Sequence, residues 1–125
     1  MPAVVMLAAA AEATWTECGL AISAKLSDAA LEKTMRDQFS SISRRVSEIV
    51  RTLNTAPGRD LLKVATRTAA SVRDVEVWTT VLRDRRNALH WTKAKSFIVD
   101  HSEAGTLLMA APIHLATLEA IKNCC

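Results

Sequence analysis

Residues 4–26 read VVMLAAAAEATWTECGLAISAKL, and the placing of Val4, Ala8, Ala11, Trp15, Cys18, Ile22 and Leu26 decides the fold class. These positions recur in steps of three and four, which is one face of a helix held for about six turns. Ser27-Asp28 interrupts the stripe, and either residue suits the N-cap of a following helix. Leu31, Met35, Phe39, Ile42, Val46, Ile49 and Leu53 then repeat the pattern up to the breaker run Asn54-Thr55-Ala56-Pro57-Gly58. Two long amphipathic helices joined by a tight connection predict an antiparallel helical hairpin.

Beyond Gly58 the spacing predicts a shorter helix from Arg59 or Asp60, with Leu61, Leu62, Ala65 and Ala69 inward. Ser71-Val72-Arg73-Asp74 resembles a capping box that starts or bends a further helix, on which Val75, Trp78, Leu82 and Leu89 keep helical spacing. Between Lys95 and Pro112 the texture turns β-prone. Ser96-Phe97-Ile98-Val99-Asp100 and Thr106-Leu107-Leu108-Met109-Ala110 flank a Gly-containing turn and predict a short β-hairpin near residues 96–110. A last helix starts near Ile113 and carries Leu115, Leu118 and Ile121. The expectation is mainly α: a four- to five-helix bundle in one domain, residues 1–125.

Composition agrees with helices. Of 125 residues half are apolar, Gly and Pro number three each, and the aromatics are three Trp and two Phe. The net charge of +3 suits an anionic partner without requiring one. Cys18, Cys124 and Cys125 have no disulfide-framework spacing, and Cys18 falls on the apolar stripe as a small core residue. The apolar amino-terminal residues lack a positively charged start and meet Glu12 too early for a membrane span. A cytoplasmic protein with no membrane contact is therefore expected.

Most enzyme signatures are absent: no phosphate-binding glycine loop, no zinc-spaced Cys/His cluster, no nucleophile elbow. His90, His101 and His114 are scattered, so no metal and no cofactor are expected. What stands out is Arg83-Asp84-Arg85-Arg86-Asn87-Ala88-Leu89-His90-Trp91. Within about two helical turns, guanidinium groups share a face with an imidazole. His90 titrates near neutrality and suits general acid–base work, while Arg83 or Arg85 suits a phosphate clamp. Arg86, Asn87 and Trp91 would contact the substrate. The plainer alternative is that these arginines solvate a helix end and meet its negative pole.

The order of these features resembles the HEPN superfamily, and most closely its small bacterial members. The matching stretches are Trp15 with its helix, Phe39-Ser40-Ser41-Ile42-Ser43-Arg44-Arg45-Val46, and Arg85-Arg86-Asn87-Ala88-Leu89-His90-Trp91. The family separates its Arg from its His by four to six residues. Arg85 and Arg83 both satisfy that spacing to His90, Asp84 supplies the polar follower after Arg83, and Trp91 replaces the usual Gly. The resemblance implies a homodimer with facing motifs, acting on RNA. Active members are metal-independent endoribonucleases of toxin–antitoxin or phage-defence systems. Others are non-catalytic interaction proteins, of antitoxin-like, phage-encoded or regulatory-adaptor type, that bind protein or nucleic acid through a basic face.

Overall fold

A computed structural model describes the backbone of residues 2–91 and 101–125 and the side chains of 3–87 and 105–125. Six helices are present among them: α1 Pro2–Leu26, α2 Ala29–Arg36, α3 Ile42–Leu53, α4 Ala56–Val64, α5 Ala69–Trp91 and α6 His101–Asn123. Helix α1 is the central element, packed against α2, α3, α5 and α6. Its stripe lies where the periodicity puts it: Val4, Ala8, Ala11, Trp15, Cys18 and Ile22 are all buried. By length and apolarity alone Ala3–Leu26 would also suffice to cross a membrane, contrary to the expectation that no segment approaches one. In this fold that stripe serves the protein core instead.

Helix α1 ends with Ser27 in the left-handed region (φ 53°). The Asp28 amide closes the turn on the Ser23 carbonyl at 2.9 Å. Asp28 then caps α2, its Oδ1 accepting from the Leu31 amide at 3.0 Å. The second long helix expected over residues 31–53 is not continuous. Asp37 Oδ1 accepts from the Phe39 amide (2.9 Å) and Ser41 Oγ caps α3 through the Arg44 amide (3.1 Å). These polar side chains give the backbone local partners that compete with the helical ones. Phe39, expected inward, is 87% exposed in the break. Leu31, Met35, Val46, Ile49 and Leu53 still reach the core from two helices rather than one.

Thr55 caps α4 and Pro57 sits in its first turn, so the breaker run that ends α3 also begins α4. Helix α5 starts at Ala69, two residues earlier than the expected Ser71, through a reciprocal pair. The Ser71 amide bonds Thr68 Oγ1 (3.1 Å) and the Thr68 amide bonds Ser71 Oγ (3.0 Å). Ala69, expected inward at the end of the preceding helix, is instead exposed at this start.

The expected β-hairpin is not seen. Its first strand lies outside the described residues, and its second, Thr106 to Ala110, belongs to α6. Leu107, Ala111, Leu118 and Ile121 form a buried helical stripe that overrides the local β tendency. The last helix thus starts at His101 rather than near Ile113, and it runs through an exposed Pro112.

Four contacts tie the layers together. Trp15 Nε1 donates to Thr79 Oγ1 (2.7 Å), joining α1 to α5. Trp78 Nε1 donates to the Leu107 carbonyl (3.1 Å), and its ring lies 5.1 Å from that of His114, joining α5 to α6. Lys122 Nζ meets Glu17 Oε2 at 3.1 Å, joining α6 to α1.

Candidate nucleic-acid interface

Helix α5 stays regular through Trp91, so the basic run is helical throughout rather than loosening at Asn87. Arg83 and Asn87 are one turn apart, and position 90 falls two turns beyond Arg83 on nearly the same side of the helix. The side chains of His90 and Trp91 lie outside the described residues.

Arg83, Asp84, Arg86 and Asn87 form one wall of an open groove of about 630 Å³. The opposite wall is the α2–α3 break and the start of α3, with Gln38, Ser40, Ser41, Ile42, Ser43 and Arg45; Glu12 of α1 also lines it. Arg85 is exposed and does not line the groove. Parts of two of the three stretches that carry the family resemblance, Ser40–Arg45 and Arg86–Asn87, some forty residues apart in the chain, therefore face each other across one groove.

Each charge has a definite setting. Arg86 Nη1 pairs with Glu12 Oε1 at 2.5 Å, each side chain 29% exposed. Arg45 is a structural clamp: Nε donates to Ser40 Oγ (2.8 Å), Nη1 to Thr16 Oγ1 (3.2 Å) and Nη2 to the Asp37 carbonyl (2.8 Å). Among the described residues, Arg83 has one long 3.4 Å contact, with the exposed carboxylate of Asp84, a pairing of little energetic weight. Three guanidinium groups thus face two carboxylates in the groove. The start of α3 adds positive potential, because the amides of Ile42 and Ser43 have no acceptor within the helix.

Glu12 stands out in the sequence only as a break in an apolar stretch, although a signal for its place in the groove is there. It is the only charged side chain among residues 2–16, and a lone carboxylate on an apolar helix needs a cation or water. Ser41 and Ser43 were visible only as part of the resemblance, because their role depends on the helix break.

The cysteines offer no nucleophile to this groove. Burial, reinforced by Cys125 and Glu119, pushes the Cys18 thiol up to about 12, which keeps it protonated. Among the described residues, no group of three or more His, Cys, Asp or Glu is arranged to hold a metal ion.

No protein-family model matches the chain, and no curated protein or solved structure matches it.

Proposed function

We propose that the chain is a HEPN-like, cytoplasmic RNA-binding protein that takes the phosphodiester backbone in the groove between α3 and α5. The observation that carries this reading is the convergence of Ser40–Arg45 with Arg83–Asn87 around the positive start of α3. Of the three guanidinium groups, Arg45 and Arg86 are held by protein partners, and Arg83 is the one placed to take a phosphate. Binding should weaken steeply with salt, as phosphate contacts do. Arg83→Gln should lower affinity for labelled single-stranded RNA several-fold, measured by fluorescence anisotropy. Unchanged affinity would end this proposal.

Metal-independent cleavage is the catalytic form of the same reading. His90 would be the acid–base group, Arg83 the clamp and Asn87 an orienting group, with the 2′-hydroxyl as nucleophile. RNA incubated with chelator should be cut by the wild type and spared by His90→Ala. Equal products, or none from either protein, would leave a binding protein without catalysis.

A protein partner is the second reading, favoured by a separate face. Residues 2–11 of α1 and 104–118 of α6 carry no Asp, Glu, Lys or Arg. Met6, Met109 and Ile113 within them are 70%, 81% and 71% exposed. A second copy of the chain, as the HEPN resemblance implies, or an antitoxin-like partner would cover this face. Light scattering of the pure protein separates the two.

A further inference from the structure

The groove does not end at Arg83. It continues between α3 and α5 into a smaller pocket of about 120 Å³, which Arg83, Ile42 and Ser43 also line. At its far end lies Glu76, half-buried, whose carboxylate has no hydrogen bond or ion pair among the described residues. Val46 and Ile42 stand one turn apart on α3 and give the pocket an aliphatic wall. Ser43 and Ser47 supply hydroxyl groups beside it.

We propose that this pocket is a guanine-selective base subsite for the RNA strand whose backbone lies in the groove; the proposal rests on the RNA-binding reading. Glu76 and Arg83 are seven residues apart on one helix, a rise of about 10 Å. That spacing is comparable to the distance between the Watson–Crick edge of a base and its own 5′ phosphate. A phosphate at Arg83 therefore carries its base towards Glu76, with the base face on Ile42 and Val46 and the ribose beside the serines.

The chemistry of the carboxylate selects the base. Ionised Glu76 offers acceptors only. Guanine alone presents two adjacent donors, N1–H and N2–H, which match the two carboxylate oxygens as a guanidinium does. Adenine and cytosine pair an amino donor with a ring acceptor, and uracil flanks its one donor with two carbonyls. Each of those places a lone pair against the carboxylate. Unstacked bases in single-stranded RNA are read along this edge.

The test compares a short uridine oligoribonucleotide with the same strand carrying one central guanosine, both 2′-fluoro-substituted so that no cleavage intervenes. The guanosine strand should bind about tenfold more tightly, the scale of one well-formed bidentate base contact. Inosine in its place lacks the N2 amino group and should lose most of that gain, without any change to the protein. Glu76→Gln, with its helical circular dichroism intact, should bind the two strands with equal affinity, the lost negative charge raising both baselines alike. Equal binding of guanosine and uridine strands, or a preference that survives Glu76→Gln or inosine, overturns the base subsite and leaves the backbone groove standing. Failure of both strands to bind at low salt overturns the subsite and the groove together.

Discussion

The indole N–H of Trp15 on α1 donates to Thr79 Oγ1 on α5 across 2.7 Å of fully buried contact. The same hydroxyl donates onward to the Val75 carbonyl at 2.8 Å. This chain of bonds sets the register of α1 against α5. Further towards the start of α1 and the end of α5, Glu12 pairs with Arg86.

Thr79→Val keeps the shape but leaves the indole N–H without an acceptor. The expected loss is about 2 kcal/mol, the cost of an unsatisfied buried donor rather than of one average hydrogen bond. Urea denaturation followed by circular dichroism measures it. Because the bond is between neutral groups, the loss should be the same at low and high salt.

Two glycines should respond differently to alanine. A Cβ at Gly58 would clash with the Thr52 carbonyl oxygen and lie 2.5 Å from Leu53 Cα, so it meets backbone at the α3–α4 corner. A Cβ at Gly19 would press on Met35 Sδ and lie 2.8 Å from Ile49 Cδ1, the ends of flexible side chains. Gly58→Ala should cost about 3 kcal/mol or more, and Gly19→Ala about 1–2 kcal/mol. Comparable urea midpoints for the two variants would contradict this assignment.

These corners also show what was legible in the sequence. Period and burial coincide along α1, because a helix with one apolar face has few alternative ways to bury it. The second stripe was legible as a core and illegible as two helices. Its period survives the break at residues 37–41, while Asp37, Ser40 and Ser41 settle the backbone locally. Phe39 fits the period and misses the core for that reason. At Thr106 to Ala110 the residue types favoured a strand, but packing of Leu107 and Ala111 decided otherwise. In the candidate site, the Arg83–Asn87 wall was legible as a charge cluster. The facing wall was not, since its position depends on where α3 starts.

Thr66 closes α4 with φ 54°, and Arg67 completes the turn by donating to the Leu62 carbonyl at 2.9 Å. A β-branched residue pays a steric penalty in the left-handed region that glycine avoids. Thr66 is also exposed, so its side chain contributes little packing. Thr66→Gly should therefore stabilise the fold by about 1 kcal/mol, read as a higher thermal midpoint. A lower midpoint would mean that the Thr66 hydroxyl contact with the Ala65 carbonyl (2.6 Å) outweighs the backbone relief.

Thiol chemistry should divide the three cysteines. Cys125 is exposed and Cys124 half-buried, whereas Cys18 is sealed in the core. A thiol reagent at neutral pH should modify the carboxy-terminal pair and reach Cys18 only on unfolding. The folded Cys18 thiol stands near 12 against an ordinary 9.0, so between those values the folded chain holds a proton that the unfolded chain has released. Its contribution to stability is complete below pH 9 and is lost as pH rises towards 12. Cys18→Ala should flatten that alkaline decline in denaturation measured across the same range.

The pair between Arg86 and Glu12 sets the charge of the proposed RNA groove. Neutralising Glu12 as Gln removes one of the two carboxylates lining it and frees Arg86 from its short ion pair. The fold should lose less than about 1 kcal/mol, since both side chains keep some contact with water. RNA affinity should rise, and the slope of log affinity against log salt should steepen by about one phosphate contact. Arg86→Gln should lower affinity, because it leaves the Glu12 carboxylate unpaired in the groove, yet change the slope little, because Arg86 is already committed to Glu12. Anisotropy titrations at several salt concentrations measure both effects. An equal and opposite change of slope would show that Arg86 contacts RNA directly in the wild type, and an unchanged slope in Glu12→Gln would place the bound strand outside this groove.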